Sequence, residues 1–488
     1  MKSLCKAVVP FFLSAIIFCG CSPEKESAYT DLPWVDQVGA QAYPSNEILK
    51  VNDFGAVSDT TVLSTKAIQA AIDSCHNQGG GTVVFEPGTY LTGALFVRSG
   101  VNLQIGEGVT LLASTDINDY PESMTRIAGI EMVWPSAVLN VLDAEKAAIS
   151  GKGSIDCRGE VFWDKYWTMR KDYEQRKLRW IVDYDCKRVR GILVSNSKDV
   201  TLRDFTLMRT GFWGVQVLFS DHCTIDGLTI NNNLGGHGPS TDGIDIDSSS
   251  YILIENCDVD CNDDNICLKA GRDADGLRVN RPTEYVVVRN CIARKGAGLI
   301  TCGSETSGSI RHILGHNLKA YGTSSVIRLK SAMNRGGTVE YIYMTDVEAE
   351  GTRHVLSADL NWNPSYSYSE LPAEYEGQEL PPHWTVMLTR VEPEEKGHPH
   401  FQNVYLRNIK ATGVKEFISA AGWDDALRLK DFELSNMEVS CENAGKVIFS
   451  ENFKLDNITL HVNSGEKILF RDNINMLNNV NYQTTDPQ

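Results

Sequence analysis

The hexapeptide Val200-Thr201-Leu202-Arg203-Asp204-Phe205 decides the fold, because close variants of it return along the chain. Each variant alternates apolar and polar residues and then turns at a polar corner; the further copies lie at residues 223–228, 252–257, 286–291, 404–409, 432–437 and 453–458. Neighbouring copies are mostly about 21 to 34 residues apart, which is the period of a solenoid. Short β-branched strands with Asn or Gly corners and no helices between them favour a parallel β-helix over leucine-rich or propeller repeats.

The corners and the N-terminal end of this solenoid carry further predictions. Asn at a corner tolerates the left-handed conformation and can stack in ladders between coils. An open end exposes apolar coil and unpaired strand edges. The segment that follows a capping Ser64 or Thr65 has an apolar helical face of Ile68, Ala71, Ile72 and Cys75. We therefore predict an all-β fold with an N-terminal capping helix that stops at Gly79-Gly80-Gly81.

Two stretches interrupt the repeat. Residues 162–190 are dense in aromatic and basic side chains, and residues 359–400 carry several aromatic residues and prolines. In solenoids such insertions bulge from one face, often the binding face. Packing of loops over the side of the coil is an equally good interpretation of each.

The first 21 residues have the composition of an export signal. Lys2 and Lys6 precede an apolar run at 8–18 that leads to Cys21, which is typical of a bacterial lipoprotein signal with Cys21 lipidated after cleavage. An ordinary secretory peptide cut nearby is the alternative, and either one implies export. We expect a lipid anchor in the bacterial envelope, periplasmic or outer-surface, as the sole membrane attachment. A linker at 22–47 and one domain at 48–488 would follow.

Charge and cysteine usage exclude several classes of function. The net charge of −17 argues against nucleic acid, whose binding depends on Lys and Arg that neutralise phosphates. An acidic substrate would need a local cluster of basic side chains. The ten cysteines after the leader show no zinc spacing, and several lie in apolar strand patterns. We predict buried thiols rather than a disulfide framework.

Two acidic segments, one around Asp242 and the other at Asp263-Asp264, stand about one coil apart. Equivalent positions on adjacent rungs lie about 4.8 Å apart, and Arg328 and Lys330 face the same side of a later strand. Three carboxylates and two cations would share one wall. Such a group suits glycosidic hydrolysis, in which one carboxylic acid protonates the leaving oxygen and another carboxylate activates water. Taken singly, each acidic pair could instead mark an ordinary turn.

Four motifs in this order resemble the signature of glycoside hydrolase family 28, the polygalacturonases and their relatives: Thr241-Asp242-Gly243-Ile244-Asp245, Asp263-Asp264, Gly303-Ser304-Glu305 and Arg328-Leu329-Lys330. The resemblance implies a right-handed parallel β-helix, with Asp263 as general acid and Asp242 and Asp264 positioning and deprotonating the attacking water. It also implies inversion at the anomeric carbon, uronate binding by Arg328 and Lys330, and no metal or organic cofactor.

The match to this family departs at two places. Ser240 stands where the family usually has Asn, and Ala297 stands where it has the His of a Gly-His-Gly. That His lies beside the general acid in the family, so Ala297 bears on the rate or on the substrate. We raise the hypothesis that His237 reaches the same space from a neighbouring corner and contacts substrate; a loop His without a catalytic role is the alternative.

The leading functional prediction is an inverting hydrolase of α-galacturonosidic linkages in acidic plant polysaccharide or oligosaccharide, exo-acting if the insertions wall off one end of the groove. A rhamnogalacturonan-type hydrolase is a close alternative. A β-helix polysaccharide lyase and a glycan-binding protein without activity are the alternatives from other classes.

Overall fold

The structure is a computed structural model that describes residue 29 and residues 31–483; the predicted leader and Cys21 lie outside the described residues. Thirty-two of its strands join one system of parallel pairings. The predicted right-handed parallel β-helix is confirmed. Among the described residues, no helix is both long and apolar enough to cross a membrane.

Three faces run along the solenoid. We call the face next to the acidic turns the site sheet; its strands are Leu95–Val97, Leu139–Leu142, Ile192–Ser195, Val215–Leu218, Ile244–Asp247, Ile266–Lys269, Gly298–Cys302, Ser325–Lys330, His354–Asp359 and Leu469–Arg471. The second face consists of Ile48–Lys50, Gly81–Val84, Val101–Gln104, Ala148–Ser150, Lys198–Arg203, Asp221–Asp226, Ser250–Glu255, Thr283–Arg289 and Ser450–Glu451. The third consists of Gly88–Thr92, Val109–Ala113, Ser154–Asp156, Thr206–Met208, Thr229–Asn231, Asp258–Asp260 and Ile292–Ala293. Six longer strands bend from one face to the next: Ile310–Tyr321, Thr338–Glu350, His400–Ala421, Leu429–Ile448, Lys454–Val462 and Leu477–Gln483.

The core forms because alternate residues of every strand point inward. In Ser250–Glu255 and Thr283–Arg289 the inward residues Ile252, Ile254, Val286 and Val288 are fully buried. Each such side chain stabilises the fold by about 1.5–3 kcal/mol relative to an exposed one. The apolar residues that alternate in the repeated hexapeptide are therefore the residues that the coil buries.

The predicted Asn ladder is confirmed at the corner after the second face. Asn290 donates to Asn256 and accepts from Asn317. Three further corner residues, Asn408, Asn436 and Asn457, continue in the same way, and their φ angles are 54°, 53° and 49°. These are left-handed conformations that Asn tolerates better than most residues.

The capping helix spans Thr65–Asn77 and buries the four predicted residues, Ile68, Ala71, Ile72 and Cys75. One detail differs from the prediction. Ser64 occupies the N-cap position without a side-chain cap bond, because its hydroxyl bonds to Val57 and the Thr65 hydroxyl accepts from Gly93.

The two predicted insertions form helices and pack together. The first contains Glu160–Gln175 and Val182–Asp185, and the second contains Pro364–Ser367 and Pro382–Leu388. An antiparallel hairpin, Glu122–Ile127 with Ile130–Pro135, joins them in one apolar cluster. Trp180 of the first insertion and Trp384 of the second meet edge to face, with ring centroids 5.5 Å apart.

The described part of the predicted linker packs along the outside of the coil. Trp34 lies against a ladder of stacked rings built from His222, Tyr251, Tyr285, His312 and Tyr341, whose centroids are 4.8 to 5.0 Å apart. The Gly39 amide donates to the Tyr251 carbonyl, and the Gln41 amide donates to Asp199. This stretch differs from a free linker because the ring ladder offers it an apolar surface.

Candidate active site

The acidic turns lie at the start of two neighbouring strands of the site sheet. Asp242 precedes Ile244–Asp247, while Asp263 and Asp264 precede Ile266–Lys269. These strands pair in register, and the Gly243 amide donates to the Asp264 carbonyl at 3.0 Å. The three aspartates and Lys330 line one cavity of about 70 Å³, which has room for water beside the carboxyl groups.

Asp264 is the most strongly paired of the three. Lys330 Nζ lies 2.7 Å from its Oδ2, Thr301 donates to its Oδ1 at 2.7 Å, and Arg328 Nη1 lies 3.5 Å away. Although burial works against its charge, Lys330, Arg328 and Lys269 outweigh that effect and hold the pKa of Asp264 well below its usual range. This carboxylate is ionised at neutral pH.

Asp263 sits in the opposite electrostatic situation. Burial, followed by the charge of the adjacent Asp264, raises its pKa. Asp263 is also partly exposed, whereas Asp242 and Asp264 are buried. Two neighbouring carboxyl groups whose pKa values are pushed apart in this way can serve as acid and base.

Asp242 forms a second close pair with Asp245. Burial, with the neighbouring Asp245 and Asp263, raises the pKa of Asp242, and burial raises the pKa of Asp245 to about 8. Two interacting carboxyl groups of this kind titrate as a pair, so the pair releases its protons at higher pH than a single exposed aspartate does. One carboxylate oxygen of Asp242 also lies within 4.8 Å of one of Asp264, a gap that a single hydrogen-bonded water can bridge.

Lys269 is a site residue that the sequence reasoning missed. Its Nζ lies 3.4 Å from Asp245, 3.5 Å from Asp242 and 3.4 Å from Glu305, over the ring of Trp213. The strand pattern contained the signal, because Ile266 and Leu268 point inward and so Lys269 must face the aspartates. Although burial disfavours its charge, the anionic groups around it raise the pKa of Lys269 well above its usual value.

Glu305 and Trp362 also belong to the cavity. Lys269 and Arg335 overcome the cost of burial and lower the pKa of Glu305 to about 2. Trp362, from the second insertion, lies over Lys330 at 4.4 Å and over Arg328 at 5.3 Å. Glu305 belongs to the third family motif and Trp362 to the second insertion, but the sequence pattern alone does not predict either as a site residue.

The structure does not bring His237 into this cavity. Its side chain is exposed and stacks on Trp167, with ring centroids 5.3 Å apart. The Ala297 amide donates to the Asp263 carbonyl, so Ala297 does lie beside the general-acid candidate. Within residues 31–483, no histidine lines the cavity.

The hairpin and the two insertions supply walls of the cavity: Ala128 from the hairpin, Arg179 and Asp183 from the first insertion, and Trp362 and Tyr366 from the second. The binding-face interpretation of both insertions therefore fits their placement, although each also buries apolar residues against the coil.

Among the described residues, Asp242, Asp264 and Cys267 are one group whose ligand atoms all lie within 4.8 Å of one another, close enough to hold a metal ion. These residues do not fit that role well. Lys330 and Lys269 already contact the two carboxylates, and burial raises the pKa of the Cys267 thiol well above its usual value, which disfavours the thiolate that metals bind.

Comparison with known proteins identifies the family to which the chain is similar. The sequence model described as "Glycosyl hydrolases family 28" matches residues 92–365. A protein named "Probable polygalacturonase" from Vitis vinifera is 30% identical over 303 residues, which cover 60% of this chain and 58% of that protein. An "Exo-poly-alpha-D-galacturonosidase" from Dickeya chrysanthemi is 28% identical over 376 residues, covering 67% of this chain and 60% of that protein. The chain thus spans about three fifths of the length of these relatives.

Solved structures agree on the fold. A hyperthermoactive exopolygalacturonase from Thermotoga maritima superposes with a TM-score of 0.70 at 24% identity, covering 89% of this chain and 94% of that one. A family 28 exopolygalacturonase from Yersinia enterocolitica gives 0.71 at 21% identity, covering 88% and 78%. At these identities the likeness concerns the fold alone.

Proposed function

The chain belongs to glycosyl hydrolase family 28, and from that membership we propose that it hydrolyses α-galacturonosidic linkages of pectic polysaccharide or oligosaccharide with inversion. One observation carries the proposal: a carboxyl group with a raised pKa, Asp263, adjoins a carboxylate with a lowered one, Asp264. Relatives named as polygalacturonase and exo-galacturonosidase support the substrate class.

The proposed reaction uses the two sides of the aspartate group differently. Asp263, which is partly exposed and whose raised pKa favours the protonated form, donates its proton to the departing glycosidic oxygen. A water held between Asp242 and Asp264 attacks the anomeric carbon and passes a proton to the ionised carboxylate. Arg328 and Lys330 hold the uronate carboxylate of the sugar beside them, Arg in a bidentate manner and Lys as a point charge. Side chains alone supply this chemistry.

The walls of the cavity support action at a chain end. Side chains from the hairpin and from both insertions surround the aspartates, and the remaining space is about 70 Å³. A polymer that must pass through on both sides would need an open cleft at this point. We therefore place the protein with exo-acting enzymes.

A product profile tests the reaction, the linkage and the mode of action together. Homogalacturonan and rhamnogalacturonan oligosaccharides are incubated with the protein, and the products are separated and their anomeric form is followed by NMR. We expect monomers released from one chain end, with inverted configuration. An unsaturated uronate product would show a lyase instead. Cleavage of rhamnogalacturonan alone would show a rhamnogalacturonan-type hydrolase, the alternative substrate that the substitution of Ala297 for the family histidine allows.

Asp263→Asn tests the general acid. The variant removes the transferable proton at nearly constant volume, so we expect kcat to fall by about 10²–10⁴-fold while the thermal unfolding midpoint and oligosaccharide binding persist. Activity within a few fold of the parent protein would contradict the assignment.

Export and lipidation remain part of the proposal, supported by the basic start, the apolar run and Cys21. Labelling of cells with a fatty-acid analogue is expected to mark the protein, and Cys21→Ala is expected to abolish the label. Secretion of an unlabelled parent protein would favour an ordinary secretory signal.

A further inference from the structure

Three buried, charged side chains contact the walls of the catalytic cavity without lining it. Arg272 and Arg335 are fully buried, and Asp273 is 4% exposed. One carboxylate oxygen of Asp273 accepts from Arg272 Nε at 3.0 Å, and the other pairs with Arg335. We call these three residues the Asp273 triad.

Arg272 ties the hairpin to the first insertion. Its backbone amide donates to the Gly129 carbonyl at 2.9 Å, and its guanidinium donates to the Tyr184 hydroxyl at 2.7 Å. The Tyr184 hydroxyl donates in turn to the carbonyl of Ala128, a residue of the cavity wall, at 2.8 Å. Gly129 has a φ of 92°, and a Cβ atom there would stand 2.8 Å from the Cβ of Arg272. The turn of the hairpin therefore rests directly on Arg272.

The triad also holds the second insertion and the turn at Ser304. Arg272 Nη2 donates to the Tyr366 and Ser367 carbonyls, at 3.3 and 3.2 Å, and the Arg272 guanidinium lies 4.9 Å from the centre of the Tyr366 ring. Arg335 Nε donates to the Ser304 carbonyl at 3.1 Å. Tyr366 and Ser304 both line the catalytic cavity. The triad thus joins the hairpin, both insertions and the turn at Ser304.

Asp273 is the residue on which this arrangement depends. Arg272 and Arg335 are two buried like charges, and the carboxylate that both of them contact offsets their repulsion. A planar guanidinium group with several fixed donors can then serve carboxylate and carbonyl oxygens at the same time. Without the carboxylate, we expect the two cations to separate, and the hydrogen bonds that they donate to the walls would be lost.

We propose that Asp273 is a positioning residue that acts through Arg272 and Arg335 to hold the hairpin and both insertions in place around the catalytic aspartates. It keeps closed the end of the cavity at which these segments meet. The inference rests on the proposed function, because the closed end is what limits the product to a monomer. Asp273 itself does not line the cavity, so its contribution lies in the placement of residues that do.

Asp273→Asn and Tyr184→Phe test the proposal. The first variant removes the charge between the two arginines, and the second removes only the hydroxyl that links Arg272 to Ala128. Thermal unfolding verifies that each variant is folded. If Asp273→Asn does not fold, the milder Tyr184→Phe decides the test.

Each variant has a matched control away from the cavity. Glu255→Gln removes the carboxylate that Arg289 contacts at 2.7 Å on the second face, and it is compared with Asp273→Asn. Tyr120→Phe removes a buried hydroxyl that donates to the Ser114 carbonyl at 2.7 Å, and it is compared with Tyr184→Phe.

Initial rates and products are measured on galacturonate hexamer. We expect kcat to fall about 10- to 100-fold in Asp273→Asn and less in Tyr184→Phe, because a displacement of about 1 Å in a catalytic site costs rate on this scale. KM should change less than kcat, since Arg328 and Lys330 still bind the uronate. Dimers and longer products should appear beside the monomer, and both controls should keep the kcat and the products of the parent protein. Products that stay monomeric in both variants would overturn the proposal.

Failure of the proposed function would be visible separately. If the parent protein cleaves no galacturonan, or itself releases longer products, the proposed function fails, and hydrogen exchange of the same four variants decides on the triad alone. Faster exchange confined to residues 122–135 and 359–400 would support the triad as the anchor of the walls. Unchanged exchange in these segments, or an equal rise throughout the strands of the third face, would overturn it.

Discussion

Lys269 supplies the positive charge that offsets the repulsion among the carboxyl groups of the site. Asp242, Asp245 and Glu305 converge on one ammonium group, at 3.4 to 3.5 Å. In the low-polarity interior, burial raises the pKa of such carboxyl groups. Lys269 opposes that rise at Asp242 and Asp245, and together with Arg335 it reverses the rise at Glu305, in a site where Ala297 occupies the histidine position.

Lys269→Met is the residue-scale test of this role. Lys269 lowers the pKa of Asp263, so its loss should move the alkaline limb of the rate profile to higher pH. We also expect kcat to fall by about 10- to 100-fold, because the water-positioning carboxylates lose their cation. Lys269→Arg, which keeps the charge, should leave the limb near its original pH. A lower kcat with an unmoved limb would show a structural role only.

The pH dependence of activity in the parent protein follows from the raised pKa of Asp263 and the lowered pKa of Asp264. The general acid must be protonated, so kcat/KM should fall as pH rises through the raised pKa of Asp263. Asp264 must be ionised, so activity should fall on the acid side only through its lowered pKa, below the usual 3.8. Rate profiles on an oligosaccharide measure both limbs. An alkaline limb at or below 3.8 would contradict these assignments.

The residues of the site were predictable in proportion to how local their signals are. Asp242, Asp263, Asp264 and Lys330 stand in short motifs, and the structure places all four in one cavity. His237 had only a Gly-His-Gly pattern behind it, and it stacks on Trp167 outside that cavity. The walls come from distant insertions, and no spacing along the chain shows which insertion folds over which rung.

At the scale of elements, the corner Asn ladder links successive coils. Asn436 donates to Asn408, accepts from Asn457, and adopts φ of 53°. The side chain of one corner Asn therefore favours the turn of its own coil and forms a hydrogen bond to the coil on each side.

Asn436→Ala should loosen these coils. An Ala in the left-handed region costs about 1–2 kcal/mol, and the two side-chain bonds are lost as well. We expect faster hydrogen exchange in the strands Leu429–Ile448 and Lys454–Val462, measured by mass spectrometry. Asn436→Gly permits the turn and removes only the bonds, so its effect should be smaller. Equal effects of both variants would show that the turn conformation contributes little.

The solenoid strands and the capping helix were predictable from short stretches of sequence. Apolar residues alternate along each strand, and they recur every three or four residues along the helix. The hairpin Glu122–Ile127 with Ile130–Pro135 was not, since its turn at Ala128-Gly129 carries a weak signal and its strands pair outside the repeat. The helix Glu160–Gln175 buries Phe162, Trp163 and Tyr166. The sequence predicts an insertion here from its aromatic density, and the spacing of Phe162 and Tyr166, four residues apart, is the local signal of the helix.

At the scale of the molecule, the ten cysteines of the described residues are buried free thiols, as the sequence predicts. Burial raises the pKa of most of them, including Cys157 and Cys223, and the thiolate is the reactive form. Stability should therefore not depend on disulfides within residues 31–483.

A thiol reagent can verify this in protein that begins after Cys21. We expect no reaction of the native protein over minutes and reaction of ten thiols after unfolding, with no change of the thermal midpoint under a reducing agent. Rapid labelling of the native protein, or a midpoint that falls on reduction, would contradict the buried-thiol prediction.

The segment that runs over the ring ladder also fixes the point at which an N-terminal tether would meet the solenoid. Tyr29 lies against Tyr343, Trp34 against Tyr285, Gly39 at Tyr251 and Gln41 at Asp199, so the chain travels from the middle coils back towards the capped end before it enters the first strand. A tether attached ahead of Tyr29 would grip the solenoid by its flank, near the rung of Tyr343. Both ends of the coil would then be free of the tether.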